Sequence, residues 1–442
     1  MQVSAAERLC LAKFCHPLEF AAHVRKLLAL SFIPHFHTSQ STQDMTAASH
    51  PTRSIVVIGG GIVGASIAYY LSRAAATSAA RAATKITLVE ASSAPAPGAS
   101  GKAGGFLALD WHGAATASLA ELSYKLHREL ADQDGGHEKW GYRPVETWQV
   151  NVDSSLKEKS RKNSKSAISW LDNSIVRSTS NMGGGGSTAQ VHPGQLTQHL
   201  VDEARKAGVQ VLFNSRATSL HFKDDRKVDS VEIQDTKSGE TQSIDVDDLV
   251  IAAGPWTGSL ITQLFPRKLL PAHLKSASHI DGSRAHSVVI ESPPGHPLSA
   301  DCLFTDMAYG PNGHKAGAPE LYCRPDGTAY VCGGSDDVPL PGTADEVDFD
   351  EKKIATLIEQ SKVLSPSSLD LNAGATLRAK QACYLPISNR TGNPIIGGKD
   401  GVYVAAGHSC WGITNSLGTG KVLSELLLDG KVQSADIRGL TP

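Results

Sequence analysis

The chain has 442 residues and a formal net charge of −2, so its length suits two or three lobes around a large core and its charge gives no sign of a nucleic-acid partner. The seven cysteines are scattered without a C-x-x-C pair, which argues against a disulfide framework or a metal site and indicates a reducing compartment. No stretch predicts a stable membrane span.

Residues 1–52 differ from the rest of the chain. Residues 9–30 are mildly amphipathic with few acids, and residues 31–49 are rich in Ser and Thr, which fits an organelle transit peptide. The alternative is an extension without a fold, since Met45 lies shortly before the first predicted strand.

A buried strand followed by a glycine turn and a helix opens the folded part. Residues 55–58 are all apolar, as in a strand of a parallel sheet. Gly59, Gly61 and Gly64 then have the G-x-G-x-x-G spacing, which permits a tight turn, close approach of a pyrophosphate and packing of the helix on its strand. The alternatives are a buried glycine-rich helix or a membrane span, but the run is short for a span.

A second strand is predicted at residues 86–89 and ends at Glu90, whose carboxylate could hydrogen-bond a ribose hydroxyl. Residues 94–106 are rich in Pro and Gly and predict a loop whose backbone could close over a cofactor. Lys102 in this loop could face a phosphate.

Further along the chain, residues 151–186 contain a polar stretch and four consecutive glycines, which predict a flexible surface insertion. Residues 228–234 and 241–246 predict a hairpin. Apolar periodicity predicts helices at residues 119–130, 196–207, 354–364 and 417–428.

Two later strands also end in glycine turns. Residues 249–254 end in Ala-Gly, and residues 402–408 end in Gly-His. Between them, residues 268–350 contain short strand candidates that predict an antiparallel lobe. A helix that follows the last turn could aim its positive end at a flavin, where negative charge gathers on reduction.

Three strand-to-glycine turns in this order, with an antiparallel lobe between them, resemble the D-amino-acid-oxidase-like flavoproteins, which include glycine oxidase and sarcosine oxidase. The motifs that carry the resemblance are residues 57–64, 98–105, 252–256 and 406–413. Residues 99–105, 122–130, 140–143 and 322–327 also resemble a fungal group of FAD-dependent oxidoreductases similar to a yeast topoisomerase-damage-affected protein.

The resemblance implies an α/β fold in which a Rossmann-type FAD-binding domain with a parallel central sheet is interleaved with an antiparallel-sheet substrate domain. It assigns residues 53–110, 187–265 and 372–432 to the FAD-binding domain, and residues 111–150 and 266–371 to the substrate domain.

The resemblance also implies which residues contact FAD. Those that would hold the nucleotide and line the cofactor are Gly59, Gly60, Gly61, Ile62, Val63, Gly64, Glu90, Ala91, Ser100, Gly101, Lys102, Ala103, Gly104, Gly105, Phe106, Ala217, Ala253, Gly254 and Trp256. Those that would lie near the isoalloxazine ring are Gly407, His408, Trp411, Gly412, Ile413 and Thr414.

The implied reaction is oxidation of the C–N bond of an amine or amino-acid-like compound by hydride transfer to the flavin, with O₂ or another acceptor. Leu385 and Cys410 stand where glycine oxidase binds the substrate carboxylate with arginines, and residues 329–332 lack the oxygen-activating lysine of sarcosine oxidases. A dehydrogenase therefore stays open. Candidate substrate residues are Tyr322, Arg324 and Tyr384.

Several alternatives stay open. Cys383 falls near the position where sarcosine oxidases attach flavin covalently, although a small buried residue is the plainer interpretation. The sequence names no catalytic base; His408 is the nearest polar candidate, and a hydrogen bond to flavin or backbone is its expected role. NAD-linked chemistry is disfavoured by the two later glycine turns.

The fungal resemblance also allows a flavin-holding protein whose main role is interaction, for instance in endosome-to-Golgi trafficking. The expected location is the cytoplasm, with association with the late endosome as one option. A mitochondrial location is the alternative if residues 1–50 are a transit peptide.

Overall fold

The computed structural model describes residues 53–76, 83–155, 166–223 and 227–442. The predicted transit peptide or extension of residues 1–52 lies outside the described residues. None of the helices in the described parts of the chain combines the length and apolar character that crossing a bilayer requires.

Helices and strands alternate in the first part of the chain, and strands dominate the middle. In chain order the elements are β1 (Ser54–Ile58), α1 (Ile62–Ala75), β2 (Lys85–Val89), β3 (Phe106–Ala108), α2 (Ala117–Asp134), α3 (Gly136–Lys139), β4 (Arg143–Pro144), β5 (Glu146–Asp153), β6 (Val176–Gly183), β7 (Thr188–Gln190), α4 (Pro193–Lys206), β8 (Gln210–Leu212), β9 (Ser215–Lys223), β10 (Lys227–Asp235), β11 (Thr241–Asp245), β12 (Asp248–Ile251), α5 (Thr257–Leu264), β13 (Ile280–Glu291), β14 (Asp301–Tyr309), β15 (Lys315–Gly317), β16 (Glu320–Cys323), β17 (Thr328–Asp336), α6 (Glu351–Leu364), β18 (Thr376–Ser388), β19 (Ile395–Lys399), β20 (Val402–Ala406) and α7 (Gly412–Asp429).

The central sheet is the parallel sheet that the sequence predicts. Within the described residues its order is β19-β20-β12-β1-β2-β8, and β19 pairs antiparallel to β20 while the remaining neighbours are parallel. Every residue of β1 is buried. Alternate side chains serve opposite faces, as the pleat requires: Ile55 and Val57 pack with the helices, whereas Val56 and Ile58 pack with β9–β11 and α5.

The second large sheet is mainly antiparallel, as predicted. Its order within the described chain is β18-β13-β17-β16-β14-β5-β6, with β15 pairing on β14. The exception is the parallel pair β5 and β14. Helix α6 packs against one face through Ile354, Leu357 and Leu364. A small separate sheet has the order β3-β7-β4 within the described residues. The fold is α/β with a separate antiparallel sheet.

The structure differs from the prediction of a flexible insertion at residues 151–186. Residues 156–165 lie outside the described part, but residues 176–183 form β6, which pairs antiparallel with β5. Ile168, Trp170 and Leu171 are buried in the core beside β5 and β14. The prediction was wrong because β6 has a polar sequence, since many of its side chains face solvent, and a polar sequence is also typical of a flexible segment.

Candidate functional site: a nucleotide cavity at the end of the parallel sheet

A cavity of about 470 Å³ opens at the carboxyl ends of the parallel strands. The last residues of β1, β2 and β20, which are Ile58, Val89 and Ala406, line it. Ligands of open α/β sheets bind in such a crevice. The cavity extends from the first glycine turn to residues of β16, β17 and β18 in the antiparallel sheet.

The first glycine turn brings β1, α1 and β12 into contact that a side chain would prevent. Gly59 has φ +115°, and a Cβ atom on it would lie 2.3 Å from the carbonyl oxygen of Ala252. A Cβ atom on Gly64 would lie 1.9 Å from the carbonyl oxygen of Gly59. Gly59, Gly61, Ile62 and Val63 line the cavity, whereas Gly60 and Gly64 belong to the turn but lie outside the lining.

Glu90 connects the end of β2 to this turn. Its buried carboxylate accepts hydrogen bonds from the backbone N–H groups of Gly60 and Ser92, each at 2.7 Å. Burial raises the pKa of the carboxyl, and the two N–H groups oppose that shift. Glu90 and Ala91 both line the cavity. Glu90 therefore braces the turn in addition to facing the space where the sequence expects a ribose.

Replacing Glu90 with glutamine is expected to weaken FAD binding by about 10- to 100-fold. An amide can accept from only one of the two N–H groups, so a buried donor is left unsatisfied at a cost of about 1–3 kcal/mol. Fluorescence titration of the apoprotein with FAD measures the change. Glu359→Gln is the matched control, since the partly exposed carboxylate of Glu359 on α6 pairs with Lys315 and lies outside the cavity lining. Equal FAD affinity in the Glu90 and Glu359 variants would contradict this role.

The loop after β2 supplies part of the wall. Pro97, Gly98, Ala99, Ser100, Ala103 and Gly104 line the cavity. The Ser100 hydroxyl accepts a hydrogen bond from the N–H of Ile62 at the start of α1, at 2.9 Å.

Four predicted contacts of this loop do not line the cavity: Gly101, Lys102, Gly105 and Phe106. Cβ atoms on Gly101 and Gly105 would lie 2.2 Å and 1.9 Å from the carbonyl oxygens of Ala96 and Val191, so these glycines serve chain packing. The Lys102 carbonyl accepts from the Tyr330 hydroxyl at 2.8 Å, and its ammonium opposes the rise in the pKa of Cys383. Lys102 thus lies beside β18 instead of the phosphate turn where the sequence placed it.

The second glycine turn and the adjoining chain close the nucleotide side. Ala217, Ala253, Gly254 and Trp256, which the resemblance assigns to FAD contacts, line the cavity. Trp256 donates its indole N–H to the carbonyl of Pro341 at 2.8 Å, and Arg216 donates to the carbonyl of Gly342 at 3.3 Å. Arg216 and residues 341–344 also line the cavity. Residues 341–344 could not be predicted, because no motif in the sequence marks them.

Of the residues predicted near the flavin ring, His408, Gly412 and Ile413 line the cavity, whereas Gly407, Trp411 and Thr414 lie outside the lining. His408 is buried, and burial lowers its pKa to about 4, so the ring is neutral at neutral pH. Its Nε2 lies 3.1 Å from the Thr419 hydroxyl, which donates its own hydrogen to the carbonyl of Asn415. Nε2 therefore carries the proton and donates, which leaves Nδ1 as an acceptor.

The three predicted substrate residues do not all reach the cavity. Tyr322 lines the cavity, but Arg324 and Tyr384 do not. Arg324 donates to the carbonyl of Ala103 at 3.2 Å and lies over the Tyr330 ring at 5.4 Å. Tyr384 donates its hydroxyl to the carbonyl of Pro339 at 2.9 Å. The structure thus does not bring these two side chains to the wall.

Sequence reasoning missed Glu320, Tyr330 and Cys332, which line the same end as Tyr322. A signal for Glu320 was present, since it is an acidic residue at the start of the otherwise apolar residues 320–323.

Cys383 also lines the cavity, and burial raises the pKa of its thiol to about 11. The protonated thiol is a poor nucleophile, so we predict that the flavin is held without a covalent bond. Precipitating the holoprotein with acid should leave the yellow colour in the supernatant. A yellow pellet that turns colourless in Cys383→Ser would contradict this prediction.

The residues present fit a dinucleotide. The close packing of the first turn excludes residues larger than glycine at Gly59 and Gly64, so backbone lines the cavity there, and a buried acidic side chain follows the second strand. The sequence model of the DAO family, described as FAD dependent oxidoreductase, matches residues 54–426. The chain belongs to this family. It is an FAD-dependent oxidoreductase, and its cofactor is FAD.

Relatives and solved structures agree with this assignment. The chain is 38% identical over 406 residues to "Putative oxidoreductase C1F5.03c" of Schizosaccharomyces pombe, covering 88% of this chain and 98% of the relative. It is 28% identical to "Putative oxidoreductase TDA3" of Saccharomyces cerevisiae over an alignment of 526 positions, gaps included, which covers 89% of this chain and 95% of the relative.

Among solved structures, glycine oxidase from Bacillus cereus has a TM-score of 0.64 at 19% identity and covers 88% of this chain and 98% of its own. L-proline dehydrogenase from P. horikoshii has a TM-score of 0.65 at 16% identity and covers 88% and 97%. At these identities the likeness to both structures shows the fold.

Proposed function

We propose that this FAD-dependent oxidoreductase oxidises the C–N bond of an amine or amino-acid-like compound. The observation that carries the proposal is one cavity that joins the glycine turn to the pocket formed by β16, β17 and β18. Structures with the same fold include a glycine oxidase and an L-amino acid deaminase from Proteus myxofaciens. When bound, FAD supplies the hydride acceptor.

In this proposal the glycine turn, Glu90 and the loop at residues 97–104 hold the nucleotide. Ala253, Gly254 and Trp256 line the middle of the cofactor. His408, Gly412 and Ile413 lie beside the ring, where the first turn of α7 contributes the positive end of its dipole.

The chain's own residues prepare the reacting end of the cavity. Burial lowers the pKa of His408 and keeps its ring neutral, and the contact of Nε2 with the Thr419 hydroxyl fixes the tautomer, so Nδ1 can accept a hydrogen bond. Tyr322 in the wall and three rings outside the lining, Phe106, Trp111 and Phe304, form a contiguous aromatic cluster with ring centroids 5.1–6.1 Å apart along its contacts. This cluster excludes water from that side, which strengthens polar interactions inside.

An anaerobic screen of amines and amino acids against the holoprotein tests the proposal. We expect at least one compound to bleach the long-wavelength absorbance of the flavin. Dithionite reduction is the control that shows the flavin to be reducible. If dithionite bleaches the flavin and no amine or amino acid does, the proposal fails, and a flavin-holding protein with an interaction role becomes the better hypothesis.

A further inference from the structure

A carboxylate is built into the wall of the pocket at the antiparallel sheet. Glu320 is the first residue of β16, its exposed fraction is 5%, and it lines the cavity. Tyr322, Tyr330 and Cys332 line the same pocket from β16 and β17. A buried carboxylate is costly unless its surroundings stabilise the charge, so its position beside a ligand cavity points to recognition.

Hydrogen bonds fix the direction of this carboxylate. The Tyr322 hydroxyl donates to Oε2 of Glu320 at 2.7 Å, and the Cys332 sulfur lies 3.9 Å from the same oxygen. The Tyr322 ring is itself held in place, because a Cβ atom on Gly104 would lie 2.5 Å from it. The carboxylate is therefore oriented before a ligand arrives, which reduces the cost of binding.

The positions at which glycine oxidase carries arginines present no positive charge here. Leu385 and Cys410 both line the cavity. Arg324 lies outside the lining, with its guanidinium directed to the carbonyl of Ala103. Lys102 also lies outside the lining, and its positive charge opposes the rise in the pKa of the Cys383 thiol.

The other charged residues of the cavity wall belong to the nucleotide side. Within the described residues, the charged side chains that line the cavity are Glu90, Arg216 and Glu320. Glu90 is bonded to the first glycine turn, and Arg216 reaches the carbonyl of Gly342. Among the described residues that line the cavity, Glu320 is thus the charged one in the pocket formed by β16, β17 and β18.

We infer that this pocket selects a protonated amine with an apolar substituent and rejects a substrate carboxylate, with Glu320 as the specificity-determining residue. The inference rests on the proposed function and narrows its substrate class. An ammonium group would face an opposite charge in a partly desolvated site, whereas a carboxylate would face a like charge. Ala285, Leu385 and the Tyr330 ring supply the apolar wall.

Benzylamine and benzoate test the inference, since they have similar shapes and opposite charges. Each is titrated into the holoprotein, and binding is followed by the difference spectrum of the flavin, which needs no turnover. We expect the protein to bind benzylamine at least about tenfold more tightly than benzoate. Glu320→Gln should remove about tenfold or more of this preference, whereas the surface control Glu359→Gln should keep it.

A second variant keeps the test decisive if Glu320→Gln does not fold. Leu385→Arg places a guanidinium on the cavity wall and should shift the preference toward benzoate by about tenfold or more. The inference is overturned if the unmodified protein prefers benzoate, or if Glu320→Gln folds and keeps the full preference for benzylamine.

The binding test and the bleaching screen can contradict the two proposals independently. Bleaching by amino acids together with tighter binding of benzoate would support the proposed function and overturn the role of Glu320. A preference for benzylamine that depends on Glu320, without bleaching by any compound, would support the pocket's selectivity and overturn the proposed oxidation.

Discussion

Replacing Gly64 with alanine is expected to abolish FAD retention and to lower the free energy of unfolding by about 3 kcal/mol. The new methyl group would lie 1.9 Å from the carbonyl oxygen of Gly59, so α1 must move away from β1 and the turn between them must open. That movement distorts the glycine turn that we propose to hold the nucleotide. The ratio of flavin to protein absorbance and thermal unfolding of the purified variant measure the two effects.

Gly186→Ala is the matched control for this substitution. Gly186 is exposed and lacks a positive φ, and a methyl group added to it would meet no heavy atom within 4 Å. We expect the variant to retain FAD and to change in stability by less than about 0.5 kcal/mol. If Gly64→Ala retains FAD as Gly186→Ala does, the close approach of α1 to β1 is not what forms the nucleotide site.

Acidification should destabilise the protein steeply between about pH 6.5 and pH 4, because burial lowers the pKa values of His127 and His408 from 6.5 to about 4. In this range the unfolded chain binds protons that the folded protein does not, so the free energy of unfolding falls as the pH falls. Each histidine contributes a loss on the order of 3 kcal/mol once the pH is below 4.

Urea unfolding at a series of pH values measures this dependence. His127→Gln should reduce the acid sensitivity by removing the contribution of His127. The glutamine amide can still donate to the carbonyl of Ile413, which Nε2 of His127 contacts at 2.9 Å, so the fold is retained. His296→Gln is the control, because His296 is exposed in the folded protein. An acid profile that His127→Gln leaves unchanged would show that other groups determine it.

Local sequence patterns predicted the elements whose formation depends on neighbouring residues. The apolar run of β1, the glycine spacing after it and the acidic end of β2 lie where the sequence places them. The hairpin of β10 and β11 is also confirmed by its antiparallel register. In each case, propensity and the burial pattern of a short segment are sufficient.

Helix α7 shows where such reasoning fails. The sequence predicts its start near residue 417, but it begins at Gly412. Thr414, Asn415 and Ser416 are buried although they are polar. Thr414 donates to the carbonyl of Phe106 at 3.1 Å, and Ser416 donates to the carbonyl of Ile413. Tertiary and local hydrogen bonds therefore stabilise residues that a hydrophobic periodicity assigns to a loop.

The substrate end of the cavity could not be read from the sequence for a similar reason. Glu320 and Cys332 occupy β16 and β17, which pair with each other, while Leu385 comes from β18. Their meeting depends on the order β18-β13-β17-β16, and no single segment encodes that order.

The order of the central sheet also determines when the protein can first bind its cofactor. β1 lies between β2 and β12, and β12 pairs in turn with β20, which is formed by Val402–Ala406 near the end of the chain. During synthesis the central sheet around the first glycine turn can therefore be completed only after nearly the whole polypeptide has left the ribosome. Nascent chains that stop before β20 should be incapable of capturing flavin and should depend on chaperones while they wait.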